Sequence, residues 1–400
     1  MPFHGSNRGS NPLGDASLVF EIRGAGFLNK GAELMLLAIV AQLRERFPGC
    51  VICVAPTRNS GPMPLSKIRE HGFHLKFARR KWGIQWGALG VLIPRFLRVR
   101  GRLVLERELT AVLDASGFAY ADQWPLFNLV DLADIARACR RYGTKLVLLP
   151  QALGPFSDEI RRRLFRDSIA SAALVFPRDL KSLDYLRDVC GGPERYQVAP
   201  DFTNLVAGEP PSDLAQFNNL VAIVPNQRML DKSSAELAAA YLNFMVGLGQ
   251  HIASLGYRII VIVHETQLDT RLADEIARRI SGAMTWSDED PRRLKGVLGA
   301  CRCVISSRYH ALVAALSQGV PAFGTSWSHK YPALFSEYEL SQGLLDVNQL
   351  SDAIRVVTDA LSEPQHSVYR NHLRRKSDEL CEQSRQMWSD VFQVISKTTV

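Results

Sequence analysis

No run in this chain approaches the ~18 uncharged apolar residues that a membrane-spanning helix needs, so only peripheral contact with a bilayer stays open. Residues 1–17 are rich in Gly, Ser, Asn and Pro and lack the apolar core of a signal peptide. The expectation there is a flexible arm on a cytoplasmic protein. Cysteine is scarce and scattered, seven in 400 residues. Cys50 and Cys53 have C-x-x-C spacing, but Val51–Val54 reads as a buried strand after Pro48-Gly49, whereas a redox pair opens a helix. Cys301 and Cys303 flank another apolar strand without a second ligand pair. The set reads as reduced, structural thiols. Clustered carboxylates and Cys/His ligand sets are also missing, since Glu33, His264 and Glu265 fall on separate elements, so neither a metal nor another cofactor is expected. Acidic residues are outnumbered, 40 against 48 Lys and Arg, for a net charge of +8. That balance favours an anionic partner, whether a phosphorylated small molecule, a membrane surface or nucleic acid. No recognisable nucleic-acid-binding module accompanies the charge, so nucleic acid is not expected.

What is present is an ordinary globular composition, 46% hydrophobic and 22% charged, in a chain long enough for two domains. A strand pattern at Leu18–Ile22 leads into Gly24-Ala25-Gly26 and an amphipathic helix ending near Phe47. Strand patterns at Thr110–Asp114, Lys145–Leu149 and Leu174–Phe176 alternate with helical ones at Leu126–Arg141 and Ser157–Ala172. The turn-rich segment Ala207–Asp213 reads as a linker, after which the alternation restarts at Val221–Val224 and Arg258–Val263 and runs to Pro321–Gly324. Alternation of this kind builds parallel sheets with helices on both faces. The expected fold is therefore α/β, two Rossmann-like domains over 18–206 and 214–365 in a GT-B-like arrangement with a cleft between them. The remaining 366–400 form a C-terminal helix able to pack back on the first domain.

Residues 58–102 are less regular and strongly basic, with Arg79, Arg98, Arg100 and Arg102 beside Trp82 and Trp86. They read either as a solvated insertion over the sheet or as a surface meeting a glycolipid at an anionic membrane. The glycine turn fails the G-x-G-x-x-G pattern, because Asn29 stands at the third glycine, and fails the Walker pattern at Asn29-Lys30-Gly31. What remains is a strand-to-helix turn whose N–H groups can hold an anion or a sugar hydroxyl, or a turn that is purely structural. Ser306–Leu312 sits where a strand gives way to a helix. Arg308 offers a planar fork for carboxylate or phosphate, and His310 follows in the first helical turn, where the dipole keeps an imidazole neutral. Lys330 follows the next strand and suits a phosphate, or is a surface lysine at a helix start. Arg178 stands at another strand end, aimed at the cleft, with Asp179 as a helix cap. Gln151 lies in a rigid strand-end loop and can donate to a sugar or carboxylate.

These pieces together resemble the polysaccharide pyruvyl transferase family over roughly residues 18–345. The matching residues are Gly24-Ala25-Gly26 with Asn29-Lys30-Gly31, the Gln-Ala-x-Gly-Pro-Phe run 151–156, Arg178-Asp179 with Ser182-x-x-Tyr185-Leu186, Pro200-Asp201, and above all Arg308-Tyr309-His310-Ala311-Leu312 with Gly319-Val320-Pro321 and Lys330. The resemblance implies an enzyme that makes pyruvate ketals on cell-surface glycans from phosphoenolpyruvate. Arg178, Arg308 and Lys330 would bind that donor and His310 would serve in acid–base catalysis. The first domain would be the acceptor side, with Gly26, Asn29, Lys30, Glu33 and Gln151 as candidate contacts, and the second the donor side. Here Glu33 stands two residues beyond the glycine of a turn that commonly reads Gly-Asn-x-Gly-Asp/Glu in the family. A lipid-linked acceptor at the inner face of the membrane would follow. Two other readings stay open on the same scaffold: a sugar-nucleotide glycosyltransferase and a non-catalytic protein that binds anionic glycans.

Overall fold

Strands that are apolar at successive positions need cover on both faces, which parallel sheets flanked by helices provide. The structure, a computed structural model, describes residues 18–27, 29–55, 63–77, 80–81, 84–85, 92–192, 195–210, 219–326 and 330–397. The expected arm at 1–17, Arg79, Trp82, Trp86, the end of the expected linker at Pro211–Asp213, and Trp327–His329 lie outside the described residues. In the first half the strands are β1 (Val19–Arg23), β2 (Val51–Val54), β3 (His74–Lys76), β4 (Arg80–Lys81), β5 (Ile84–Gln85), β6 (Leu103–Val104), β7 (Ala111–Asp114), β8 (Lys145–Gln151) and β9 (Leu174–Pro177). The second half holds β10 (Leu220–Val224), β11 (Arg258–Ile262), β12 (Met284–Trp286), β13 (Cys303–Ser306) and β14 (Ala322–Gly324).

The strands of the first half, apart from an antiparallel ribbon of β4 and β5, make one parallel sheet ordered β6-β3-β2-β1-β7-β8-β9. The second half makes a parallel sheet ordered β12-β11-β10-β13-β14. The fold is thus α/β with two Rossmann-like sheets. In each, the strand order reverses beside the first strand, between β1 and β7 and between β10 and β13. Such a reversal opens a crevice at the carboxyl ends of the strands.

Burial explains the placement of the helices. Met35, Leu36, Ile39 and Leu43 of the helix Lys30–Arg46 pack on one face of the first sheet, and Leu129, Leu132 and Ala136 of Phe127–Tyr142 cover the other. The C-terminal helix, Gln365–Ser396, contributes Leu373 and Leu380 to the core of the second sheet. Farther along, its Met387, Trp388, Val391 and Ile395 enter the core of the first.

The basic segment is more integrated than a solvated insertion. Lys76 is buried on Glu21 at 2.7 Å, and Arg98 is tucked onto Glu108 at 2.6 Å, so both cations pin the edge of the first sheet. Arg100 and Arg102 stay exposed. Cys53 is fully buried within β2, as suits a structural thiol.

Candidate active site

The two crevices face each other across a pocket of about 310 Å³. Its lining comes from strand ends in both halves: Gly24 after β1, Ser116 after β7, Arg178 after β9, Asn226 after β10, His264 after β11, Arg308 after β13 and Lys330 after β14. A larger hollow, about 750 Å³, lies between the helix Lys30–Arg46 and the loop before Pro291. It holds none of the strand-end cations named above, and Lys67 and Arg292 at its rim are paired with carboxylates. The strand-end cations and His310 line the smaller pocket.

The turn after β13 is fixed by hydroxyl groups. Ser306 Oγ accepts from the Arg308 N–H at 2.9 Å, and the Ser307 hydroxyl lies 2.6 Å from Tyr241 Oη and 2.7 Å from Thr325 Oγ1. The Ser307 carbonyl accepts from Asn226 Nδ2 and Tyr331 Oη. The helix Tyr309–Leu316 therefore starts in one set direction. Tyr309 connects the halves: the Arg178 guanidinium lies 4.1 Å from its ring centroid and Lys330 Nζ 5.2 Å away, both within cation–π range.

Arg178 is 2% exposed and its Nη1 lies 3.2 Å from Asp201 Oδ2. The same oxygen is 3.5 Å from His310 Nε2, so one carboxylate joins the arginine of the first half to the histidine of the second. Thr203 donates to the other Asp201 oxygen from its N–H and its hydroxyl. Burial opposes the charge of Asp201, yet His310, Arg178 and these hydrogen bonds hold its carboxyl below the usual range.

Burial pushes His310 down to about 4, with Asp201 opposing and Arg178, Lys330 and Arg308 adding to the fall. Burial and the same two arginines bring Lys330 down to about 7. Both shifts disfavour the charged form, and the imidazole is neutral at neutral pH.

Arg308 differs from an open anion fork. Its Nε and Nη2 donate to Asp269 at 2.8 and 2.5 Å, and its Nη1 donates to Glu265 at 2.7 Å. Three of the five N–H donors of a guanidinium are thereby committed to carboxylates.

The remaining sequence candidates separate. Asn29 lines the pocket while capping the helix Lys30–Arg46 through Ala32 N–H. Gly26 is buried in the turn before it. Lys30 bridges the halves, pairing with Glu33 and donating to the Glu289 carbonyl. Glu33 is 3% exposed, is held by Lys30 and Lys67, and lines the larger hollow instead. Gln151 is fully buried and its side-chain amide has no hydrogen-bond partner among the described residues; it does not line the pocket, and its backbone carbonyl holds the Arg178 N–H at 3.0 Å. For Gln151 at its strand end and Glu33 in the first turn of its helix, position in the sequence gave proximity to the cleft but not direction.

Sequence reasoning passed over Asp201, His264, Glu265 and Asp269 as site residues. It also missed why Gly31 is glycine. A Cβ there would overlap the His310 ring at Nδ1 and Cγ. A helical Gly→Ala exchange ordinarily stabilises by about 1 kcal/mol. For Gly31→Ala we expect the opposite, a net loss of about 1–3 kcal/mol from overpacking. Urea unfolding checks this, and a gain in stability would show that the imidazole moves aside freely.

Comparison with known proteins adds two findings. A sequence model described as polysaccharide pyruvyl transferase matches residues 29–329. Solved structures with the same fold include Anabaena HepE in complex with UDP and glucose, at 12% identity and TM-score 0.58 over 94% of this chain and 99% of that one. A glycosyltransferase from Rickettsia africae aligns at 9% identity and TM-score 0.59 over 96% and 99% of the two chains. A putative UDP-N-acetylglucosamine 2-epimerase from Listeria monocytogenes aligns at 12% identity and TM-score 0.59 over 94% and 96%. At such identities the likeness is one of GT-B architecture.

Proposed function

The chain belongs to the polysaccharide pyruvyl transferase family, and from that premise we propose that it moves the pyruvyl group of phosphoenolpyruvate onto a sugar of a cell-surface or exopolysaccharide glycan as a ketal. The observation that carries this reading is the small cationic pocket, in which Arg178, Arg308 and Lys330 surround the imidazole of His310. Ligand pockets run to about 300–1,000 Å³, and one of about 310 Å³ suits a compact donor with two anionic groups better than a nucleotide sugar.

In this reading Arg178 and Lys330 hold the carboxylate and phosphate, with Arg308 contributing through its uncommitted N–H groups. The bound charge lifts His310, which protonates the methylene carbon and makes the central carbon electrophilic. A sugar hydroxyl adds there, phosphate leaves, and a second hydroxyl of the same sugar closes the ketal. The reaction asks for no further cofactor. No helix among the described residues is long and apolar enough to cross a membrane. A lipid-linked acceptor met in the cytoplasm at the inner membrane face fits an exposed basic edge at Arg100 and Arg102.

Thermal-shift titration is the direct test. Phosphoenolpyruvate at 100 times its Kd should stabilise the protein by about 2.7 kcal/mol. Stabilisation by UDP-glucose alone would favour the glycosyltransferase reading instead. Phosphate release that depends on an added sugar separates an enzyme from a glycan-binding protein.

Binding should also take up protons. At pH 8 the donor phosphate is already ionised, its second pKa being about 6, whereas Lys330, at about 7, is mostly neutral. An anion that favours the charged lysine must draw a proton from solvent, so affinity should fall by up to about tenfold per pH unit above 7. Calorimetry in two buffers of different ionisation enthalpy reads this uptake. Equal heats in both would remove Lys330 from the donor site.

A further inference from the structure

His264 sits just past β11, opens onto the same pocket as His310, and is 7% exposed. Its Nδ1 is buried and, like His310 Nε2, has no hydrogen-bond partner among the described residues. Buried polar atoms are nearly always satisfied, and one in the wall of a ligand pocket is where a ligand's hydroxyl supplies the missing partner. The charged surroundings of the two imidazoles differ. Asp201 stands 3.5 Å from His310 Nε2 and can steady an added proton there. Burial, followed by Arg308, His310 and Lys30, disfavours a proton on His264. Its sequence neighbour Glu265, which lines the same pocket, is held by Arg308 at 2.7 Å. With a carboxylate beside only one of the two imidazoles, an added proton is steadied on His310 rather than on His264, which divides the roles of acid and base between them.

We propose that His264 is a second catalytic residue, the base that takes the proton of the attacking sugar hydroxyl while His310 delivers one to the donor's methylene carbon. The assignment rests on the pyruvyl-transfer reading above. In the first step the hydroxyl O–H bond breaks, its proton passes to His264, and the oxygen bonds to the central carbon. The π pair of the enol captures the proton of His310 and the methylene becomes a methyl group. In the second step the bond from the central carbon to the phosphate oxygen breaks. Its electron pair leaves with phosphate, which receives the proton held by His264. The second hydroxyl then closes the ketal and returns its proton to His310. Both imidazoles end as they began, and two hydroxyl protons are accounted for, one on carbon and one on phosphate.

The experiment follows phosphate release from phosphoenolpyruvate by the full chain, with methyl glycosides of glucose, galactose and mannose as acceptors. His264→Gln should lower kcat by about 10²- to 10⁴-fold and leave the KM for phosphoenolpyruvate little changed, with an unaltered melting temperature. Because a buried position can simply misfold, His264→Gly is assayed with added imidazole, which should restore part of the lost turnover. A His264→Gln enzyme with near-normal kcat, or a folded His264→Gly enzyme that imidazole does not help, overturns the proposal. A wild-type protein that releases no phosphate with any acceptor counts against pyruvyl transfer itself, and the division of roles falls with it.

Discussion

Replacing His310 by alanine should lower turnover by about 10²- to 10⁴-fold, the usual contribution of a positioned acid or base. Donor affinity should change far less, staying within about tenfold, or about 1.4 kcal/mol. The reasoning rests on charge. Burial among three cations keeps the imidazole neutral, so its removal takes away little of the attraction for an anion. The cations themselves stay in place, because Arg178 is anchored by Asp201 and Tyr309 rather than by the histidine. Asp201 likewise keeps Arg178 and Thr203 as partners. Phosphate release and a thermal-shift titration, run on the same preparation, separate the two effects. Near-normal turnover would end the acid–base role, and loss of donor binding with unchanged folding would make His310 a binding group instead.

The second large effect concerns stability. Arg308→Met should destabilise the protein by about 3–5 kcal/mol, the range for breaking a buried ion pair by removing one partner. The cost comes from what is left behind. Asp269 is fully buried and Glu265 is 7% exposed, and both lose the guanidinium that neutralises them. Backbone N–H groups of Gln227 and Glu265 still reach Asp269, which softens the loss without cancelling the charge. Urea unfolding measures the change. If Arg308 were chiefly a ligand-binding residue, the variant would lose affinity at unchanged stability. A paired Arg308→Met, Asp269→Leu variant should recover part of the deficit.

These expectations show how far the sequence could be read. Alternating apolar runs located β1, β2, β10, β11 and β13 and the strand-end positions of Arg178, Arg308, His310 and Lys330, because a buried parallel strand is a local pattern and a helix start follows it. Direction and partnership are not local. Arg308 is claimed by carboxylates 39 and 43 residues upstream, which only the packing of the turn after β11 beside β13 makes neighbours. Asp201 was legible as part of the Pro200-Asp201 match but without a role, and its place between Arg178 and His310 depends on how the two sheets meet. The described part of the basic stretch 58–102 was only partly legible for a related reason. Lys76 and Arg98 are single cations in a charged run, and nothing local says that Glu21 and Glu108 draw them inside. Gly31 could be read as a turn residue, while its actual constraint is an aromatic ring supplied by the other half of the chain.

The C-terminal helix bears on how substrates come and go. Its 32 residues make a rod about 48 Å long at 1.5 Å per residue, seated at one end in each hydrophobic core. Halves joined by such an axle cannot drift apart like beads on a string. Any widening of the cleft between the two sheets has to twist or flex that rod.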